Sequence, residues 1–423
     1  MNRLIAAALL RDEGNERVTG IEATYTVANV ALIFRASILM RPSVKIVYAA
    51  VVALVVVSNP ASAQAASARD STAPRAPAID FSGIVFANYQ YRGESAARSA
   101  NKFDVERAYL TFRMPAGERA SVRITTDVYQ QTSSGSDAYY RGWSLRAKYA
   151  YLQYNYLTGK SWRGSARLGL LHNVVIEHDE TFWPRWISTS TADRAGFFSS
   201  ADAGIANTVS VPGGKGEIYS TITNGPGYTS REVDRFKDFA SRVTLRPWSA
   251  DSASILRSVA LSAWAYKGAI ASRFVNGGIG QSGAIGDGLK RDRWGVHVGS
   301  ATQRLVAVAQ YASRTDEGED GLNTSVSPRA VVDSTGTIIS AYAIARPIAG
   351  TKSKPHPLSL LARIDRVTTN TDTDAAYDLI VGGVIWDLTT RLSASLDYQE
   401  VSLREGTPIV PTRTWFAHFV ARF

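Results

Sequence analysis

From Ile79 onward, polar and apolar residues alternate with period two, the spacing of strands that show a different surrounding to each face. In ASVRITTDV, Ser121, Arg123, Thr125 and Asp127 alternate with Val122, Ile124, Thr126 and Val128. In DRWGVHV, Arg293, Gly295 and His297 alternate with Trp294, Val296 and Val298. In LSLLARIDR, Ser359, Arg363 and Asp365 alternate with Leu360, Ala362 and Ile364. No comparable stretch keeps a helical period. The pattern predicts strands near 79–91, 103–113, 119–128, 144–155, 164–171, 202–211, 216–223 and 237–247. It continues near 257–267, 291–299, 303–313, 337–348, 357–366, 375–387, 391–401 and 413–423, with ends good to about 3 residues.

The gaps sharpen the picture. Odd-numbered connections have about 11, 15, 30, 13, 23, 23, 8 and 11 residues, and even-numbered ones about 5, 8, 4, 9, 3, 8 and 3. Long loops on one side and short turns on the other predict an all-β fold: a transmembrane, antiparallel, up-and-down β-barrel of about 16 strands over 79–423. Unpaired backbone groups are too costly in hydrocarbon, so a sheet there must close on itself. A lumen of this strand number is too wide for side chains to fill, and water enters. Proline agrees, with Pro115, Pro212, Pro355 and Pro411 in gaps and Pro247 and Pro347 closing strands.

The two ends carry addresses. Met40–Ala65 reads MRPSVKIVYAAVVALVVVSNPASAQA. Its apolar run, Ile46–Val57, is short against the about 20 residues of a membrane-spanning helix. It fits a signal peptide over 40–63, with Arg41 and Lys45 before the run and Ala61-Ser62-Ala63 as the cleavage site. Residues 1–39 are then expected to be an upstream extension ahead of the true start; the alternative is a retained signal-anchor with a genuine cytoplasmic extension. Residues 64–78, small and polar with two prolines, are expected to be a disordered lead-in. At the other end TWFAHFVARF sets Trp415, Phe419 and Phe423 on one face and closes on an aromatic. It is similar to the last strand that barrel-assembly machinery recognises in outer-membrane proteins. Together the ends predict export to the outer membrane of a Gram-negative-type cell, where lipid and lipopolysaccharide are the surrounding partners.

Composition removes several kinds of chemistry. There is no cysteine, which excludes a disulfide framework, thiolate metal sites and cysteine nucleophiles. The net charge is +10, yet the basic residues are spread through alternating strands and not gathered in patches, so no nucleic-acid partner is expected. His172 and His178 stand among carboxylates in HNVVIEHDE, but their spacing matches no standard metal motif. The acidic stretches at 315–321 and 369–374 read as solvated loop tips, with weak divalent or lipopolysaccharide contacts. No phosphate-cradling loop or dinucleotide fingerprint is present, so no cofactor is expected. A hydrolase at the barrel rim needs Ser or Asp beside a His, and none of the five histidines sits in such a motif. The chain is not expected to be an enzyme.

FDVERAYLTFR, RITTDV, KYAYLQY and WPRWISTSTADRAGFFSSADAGI, across residues 80–210, resemble the phosphate-selective porin O and P family. The resemblance implies a sixteen-stranded pore for small solutes, often trimeric, with the third long loop folded inward. Giving the apolar alternate to lipid turns Arg107, Arg123, Arg146, Lys148, Arg167, Arg242, Arg246, Arg293 and Arg363 toward the lumen, with Asp127, Asp365 and Asp397. Basic residues outnumber acidic ones there, which favours small anionic solutes. Each Arg has a second reading as a wall pair, for example Arg123 with Asp127 or Arg363 with Asp365. The loop near 172–201 is rich in aromatics. As a constriction it sets Glu177, Asp179 and Glu180 against Arg185 and Arg194; the alternative is a cap on the rim. Phosphate-specific members are associated with an arginine ladder and lysine clusters, whereas the lysines here are scattered. A receptor or adhesin barrel without an open pore is the other class this sequence allows.

Overall fold

The computed structural model describes residues 79–92, 101–130, 142–159, 161–232, 234–270, 288–319, 331–404 and 411–423. The expected extension, signal peptide and lead-in at 1–78 lie outside the described residues.

Sixteen strands form in chain order: β1 Asp80–Tyr91, β2 Lys102–Pro115, β3 Ala120–Gln130, β4 Trp143–Thr158, β5 Arg163–His172, β6 Ala201–Val211, β7 Gly216–Thr223 and β8 Asp238–Leu245. They continue as β9 Val259–Ile270, β10 Leu289–Ala301, β11 Leu305–Glu319, β12 Val331–Ala345, β13 Ser359–Asn370, β14 Ala375–Asp387, β15 Leu392–Leu403 and β16 Thr412–Arg422. Each pairs antiparallel with its chain neighbours, and β1 pairs with β16, from Ile84 opposite Arg422 to Tyr91 opposite Trp415. The sheet is therefore a closed barrel with no free edge. The closing seam ends on a reciprocal pair of hydrogen bonds: Gly83 N donates to Phe423 O at 2.8 Å, and Phe423 N donates to Gly83 O at 3.0 Å.

The outer face follows the alternation. Leu145, Leu168, Ile339, Ile364 and Phe419 each show more than half of their surface outward. On the same strands Tyr149, Ser340, Arg363, Asp365 and His418 are buried on the lumen side. Trp415, Phe419 and Phe423 all face out, each at least half exposed.

Several edges differ from the sequence pattern. β11 and β12 run past their expected ends, because Arg314–Glu319 pair with Val331–Gly336. Apart from Val331 and Val332 at its end that ladder is polar on both faces, so no alternation marks it. The stretch 315–319 is thus strand, not loop tip, and the short turn 371–374 replaces the acidic loop expected at 369–374. Pro115 is the last residue of β2, opposite Ser121, while Pro247 and Pro347 lie beyond β8 and β12. Length does not separate the two rims cleanly. On the even rim, which carries the even-numbered connections, 246–258 and 346–358 are long; on the odd rim, 371–374 is short.

Candidate functional site: the lumen wall and the loop packed on it

Residues 173–200 leave the odd rim between β5 and β6. Asn173 opens the segment by accepting from the Val175 and Ile176 amides, at 2.9 and 3.3 Å, and so starts the short helix α1, Ile176–Asp179. A second turn of helix, α2, covers Thr191–Arg194. Between them Trp183 folds its Nε1 back to Ser188 O at 2.9 Å. Val174, Val175, Ile176, Trp183, Trp186 and Ile187 are all buried.

Lumen-facing side chains of six strands hold this segment. Arg242 on β8 donates to Val174 O. Ser262 on β9 meets His178 Nε2 at 2.9 Å. Tyr342 on β12 packs edge-on to Trp183 at 5.0 Å. Arg363 on β13 donates to Thr189 O at 2.9 Å and Thr191 Oγ1 at 2.8 Å. Gln399 on β15 donates to Ile187 O at 3.0 Å, and His418 on β16 lies 6.1 Å from the Trp186 ring. The segment thus runs inside the barrel against β8–β16.

The wall of β2–β5 is different. Of three register shifts in this wall, two β-bulges each leave one extra residue, Glu106 between Val105 and Arg107, and Lys148 between Ala147 and Tyr149, and the third falls between Tyr154 and Leu157. The second bulge resets the phase of β4, so Lys148 and Tyr149 are both buried inward and Tyr151 follows. Strict alternation misses Tyr149, Tyr151 and Glu106 for this reason. Arg107 and Arg146 close on one carboxylate, Asp127, at 3.0 and 2.9 Å. Arg123 is not paired with Asp127, contrary to the wall pair that the spacing allows; it donates to Thr125 Oγ1 and His172 Nε2, each at 3.1 Å. A guanidinium only donates, so Nε2 of His172 is the acceptor. Lys148 donates to Tyr109 OH at 3.0 Å, and Arg167 to Gln153 Oε1 at 2.9 Å. Arg123, Lys148 and Arg167 have no carboxylate partner among the described residues. Each instead lies over a tyrosine ring: Tyr149 at 5.1 Å, Tyr109 at 4.2 Å and Tyr151 at 5.4 Å respectively.

The remaining basic positions are paired or displaced. Arg242 meets Glu217 at 2.5 Å, Arg293 meets Asp316 at 2.8 Å and Arg363 meets Asp365 at 2.6 Å. Arg246 falls past the end of β8, in the even-rim connection, and is a mouth residue rather than a strand residue.

The loop charges separate into two groups. Arg185 clamps Glu180 at 2.5 Å and Asp193 at 3.1 Å. Glu180 and Arg185 lie within electrostatic reach of Lys148 and Tyr149, so this clamp faces the β2–β4 wall. Asp179 is turned the other way and buried, 4.0 Å from His297 Nε2, and burial pushes its carboxyl up to about 7. Glu177 stands 3.8 Å from His172 Nδ1, and Arg194 is exposed. Glu177, Asp179 and Glu180 therefore do not form one acidic face against Arg185 and Arg194. The strand partners of the loop carry no mark in the sequence, since Thr191 and Asp365 come together only where the loop folds onto β13.

No family model matches the chain, and no curated protein matches it. Solved structures match its shape. An anion-selective porin from Comamonas acidovorans is 11% identical with a TM-score of 0.53, over 82% of this chain and 99% of that one. OmpF of Salmonella typhi, in complex with daunomycin, is 12% identical at 0.54, over 82% and 98%. A loop-deletion mutant of the Vibrio cholerae outer membrane protein OmpT is 11% identical at 0.52, over 82% and 100%. The chain shares their barrel fold.

Proposed function

We propose that the chain is an outer-membrane porin, a water-filled channel through which small hydrophilic solutes diffuse passively, with a mild preference for anions. The single observation that carries the reading is the unequal inner wall. Arg123 and Arg167 line one side without a carboxylate partner, with Lys148 buried in the same wall, and the loop bearing Glu180, Arg185 and Asp193 faces them. A cationic lining lowers the barrier to anions and raises it to cations. Loop 173–200 is the constriction in this reading, because it packs on the opposite half of the wall and narrows the passage to the β2–β5 side. Phosphate is one anion among others, since no lysine cluster accompanies the arginines.

The apolar outer face and closed sheet support residence in a Gram-negative-type outer membrane, among lipid and lipopolysaccharide. Cleavage near Ala63 would release the barrel from its export signal, and Trp415, Phe419 and Phe423 would present the assembly signal. A homotrimer is the expected assembly. No catalytic role or cofactor belongs to this reading.

Reversal potentials in planar bilayers under a KCl gradient test it. A positive reading is a conducting pore whose potential favours chloride. Cation preference would mean that the loop carboxylates dominate. Solute binding without conductance would favour the receptor or adhesin barrel.

A further inference from the structure

The two rims differ in how their charges are matched. Among the described residues on and beside the odd rim, most cations have partners: Lys102 meets Asp104 at 2.8 Å, Lys237 meets Glu232 at 3.4 Å, and Arg366 and Arg404 share Asp378 at 3.1 and 3.0 Å, while Arg92 and Arg231 form no ion pair. Beside the even rim Arg113 meets Asp80 at 3.5 Å, but the connections of that rim are the reverse. Its described connections hold two acidic residues, Glu118 and Asp251. Cations occupy nearly every one of them: Arg119, Lys215, Arg257, Arg304, Lys354 and Arg391. None of these six forms an ion pair among the described residues. Arg304 and Arg346 use their guanidinium groups to tie neighbouring turns, donating to Pro347 O at 2.8 Å and Thr302 O at 2.9 Å; Asp387, at the end of β14, lies within electrostatic reach of Arg346, while Arg304 has no carboxylate partner among the described residues.

We infer that the even rim is an anion-collecting mouth, which makes conduction through the pore unequal in the two directions. This rests on the channel reading above. A ring of like charges at one entrance raises the local anion concentration there, and a balanced entrance does not. Voltage that drives anions inward from the even rim then starts from a filled mouth, and the opposite polarity starts from an unfilled one. The ring acts through about 10 Å of solution at 0.1 M salt but only about 3 Å at 1 M, so the inequality belongs to low salt.

Single channels inserted from one side of a planar bilayer test the inference, with currents read at equal and opposite voltages in symmetric KCl. The expected ratio is about 2 at 0.1 M and near 1 at 1 M, following the screening length. The variant Arg119→Gln, Lys215→Gln, Lys354→Gln, Arg391→Gln removes four rim charges whose side chains make no bond among the described residues. It should bring the 0.1 M ratio close to 1 and keep the heat-dependent gel shift of a folded barrel. Equal currents in the parent at 0.1 M, or an unchanged ratio in the variant, overturn the inference and leave the collar to lipid headgroups. Absence of any conductance instead overturns the channel reading on which it rests.

Discussion

Arg363 closes on Asp365, two residues along the same strand, at 2.6 Å, with both side chains 1% exposed. The pair is also the seat of the loop, since Arg363 reaches Thr189 O and Thr191 Oγ1, and Thr191 Oγ1 donates to Asp365 Oδ2 at 3.1 Å. Removing one partner leaves the other charge buried and uncompensated, which costs about 3–5 kcal/mol. We expect Asp365→Ala to lower the temperature of the gel-mobility shift and to expose 185–195 to protease. The double variant Arg363→Met, Asp365→Leu removes both charges and should recover most of the thermal stability. If the single variant matches the parent in both assays, the pair does not hold the loop.

Selectivity should move in opposite directions for two residues of β3. Arg123→Gln deletes a cation that has no carboxylate partner, so the reversal potential should shift toward cations. Asp127→Asn frees the charges of both Arg107 and Arg146, so the potential should shift toward anions. Shifts of the same sign would mean that these side chains do not line the conducting path.

The response of the loop to acid depends on two neighbours in α1. Burial holds His178 down at about 2, with Arg242, His297 and Arg246 adding to it, and pushes Asp179 up to about 7. Below pH 6.5 the unfolded chain protonates His178 while the folded one does not, and stability falls by about 1.4 kcal/mol per pH unit. From about 7 down to 3.8, folded Asp179 holds a proton that the unfolded chain lacks, and stability rises by a similar slope. The two slopes oppose each other between about 6.5 and 3.8. Below that range, of the two, only the His178 loss continues. In Asp179→Asn the compensating gain is gone, so protease sensitivity of 173–200 should begin at a higher pH than in the parent. Identical onsets would remove Asp179 from the balance.

Most strands were legible because a closed barrel sets an apolar outer face and a polar inner one on opposite sides of one strand, and the alternation at Arg363, Ile364 and Asp365 records this directly. The signal fails where polar residues fill both faces, so Arg314–Glu319 carries no strand alternation although it pairs with Val331–Gly336. It fails again at the bulge that turns Lys148 and Tyr149 to one side, since no residue type announces an extra position. The candidate site was legible as a set of inward arginines but not as a network. Whether Arg123 meets Asp127 or His172 depends on where the end of β5 lies against β3. Gly169 matters here. Its φ of +131° and close approach to the Ala150 carbonyl oxygen interrupt the phase of β5, so that Leu168 faces out while His172 faces the lumen.

The terminal aromatic has a structural role in addition to any part in recognition. The ring of Phe423 lies directly over Gly83, where an added Cβ would collide with it, and Phe81 flanks it at 5.9 Å. Gly83 and Phe423 also exchange the two backbone hydrogen bonds that end the β1–β16 seam. An aromatic ring covering a strand glycine shields backbone that would otherwise be bare, so the last residue seals the closure. Gly83→Ala should therefore displace the ring and lower the temperature of the gel-mobility shift, although it leaves the terminal residues unchanged. Phe423→Ala should lower that temperature too, and the double variant should lose less than the sum of the two, because both single changes break one contact. Refolding into detergent without assembly machinery isolates this effect from recognition. If Phe423→Ala refolds with parental thermal stability there, its role is confined to recognition.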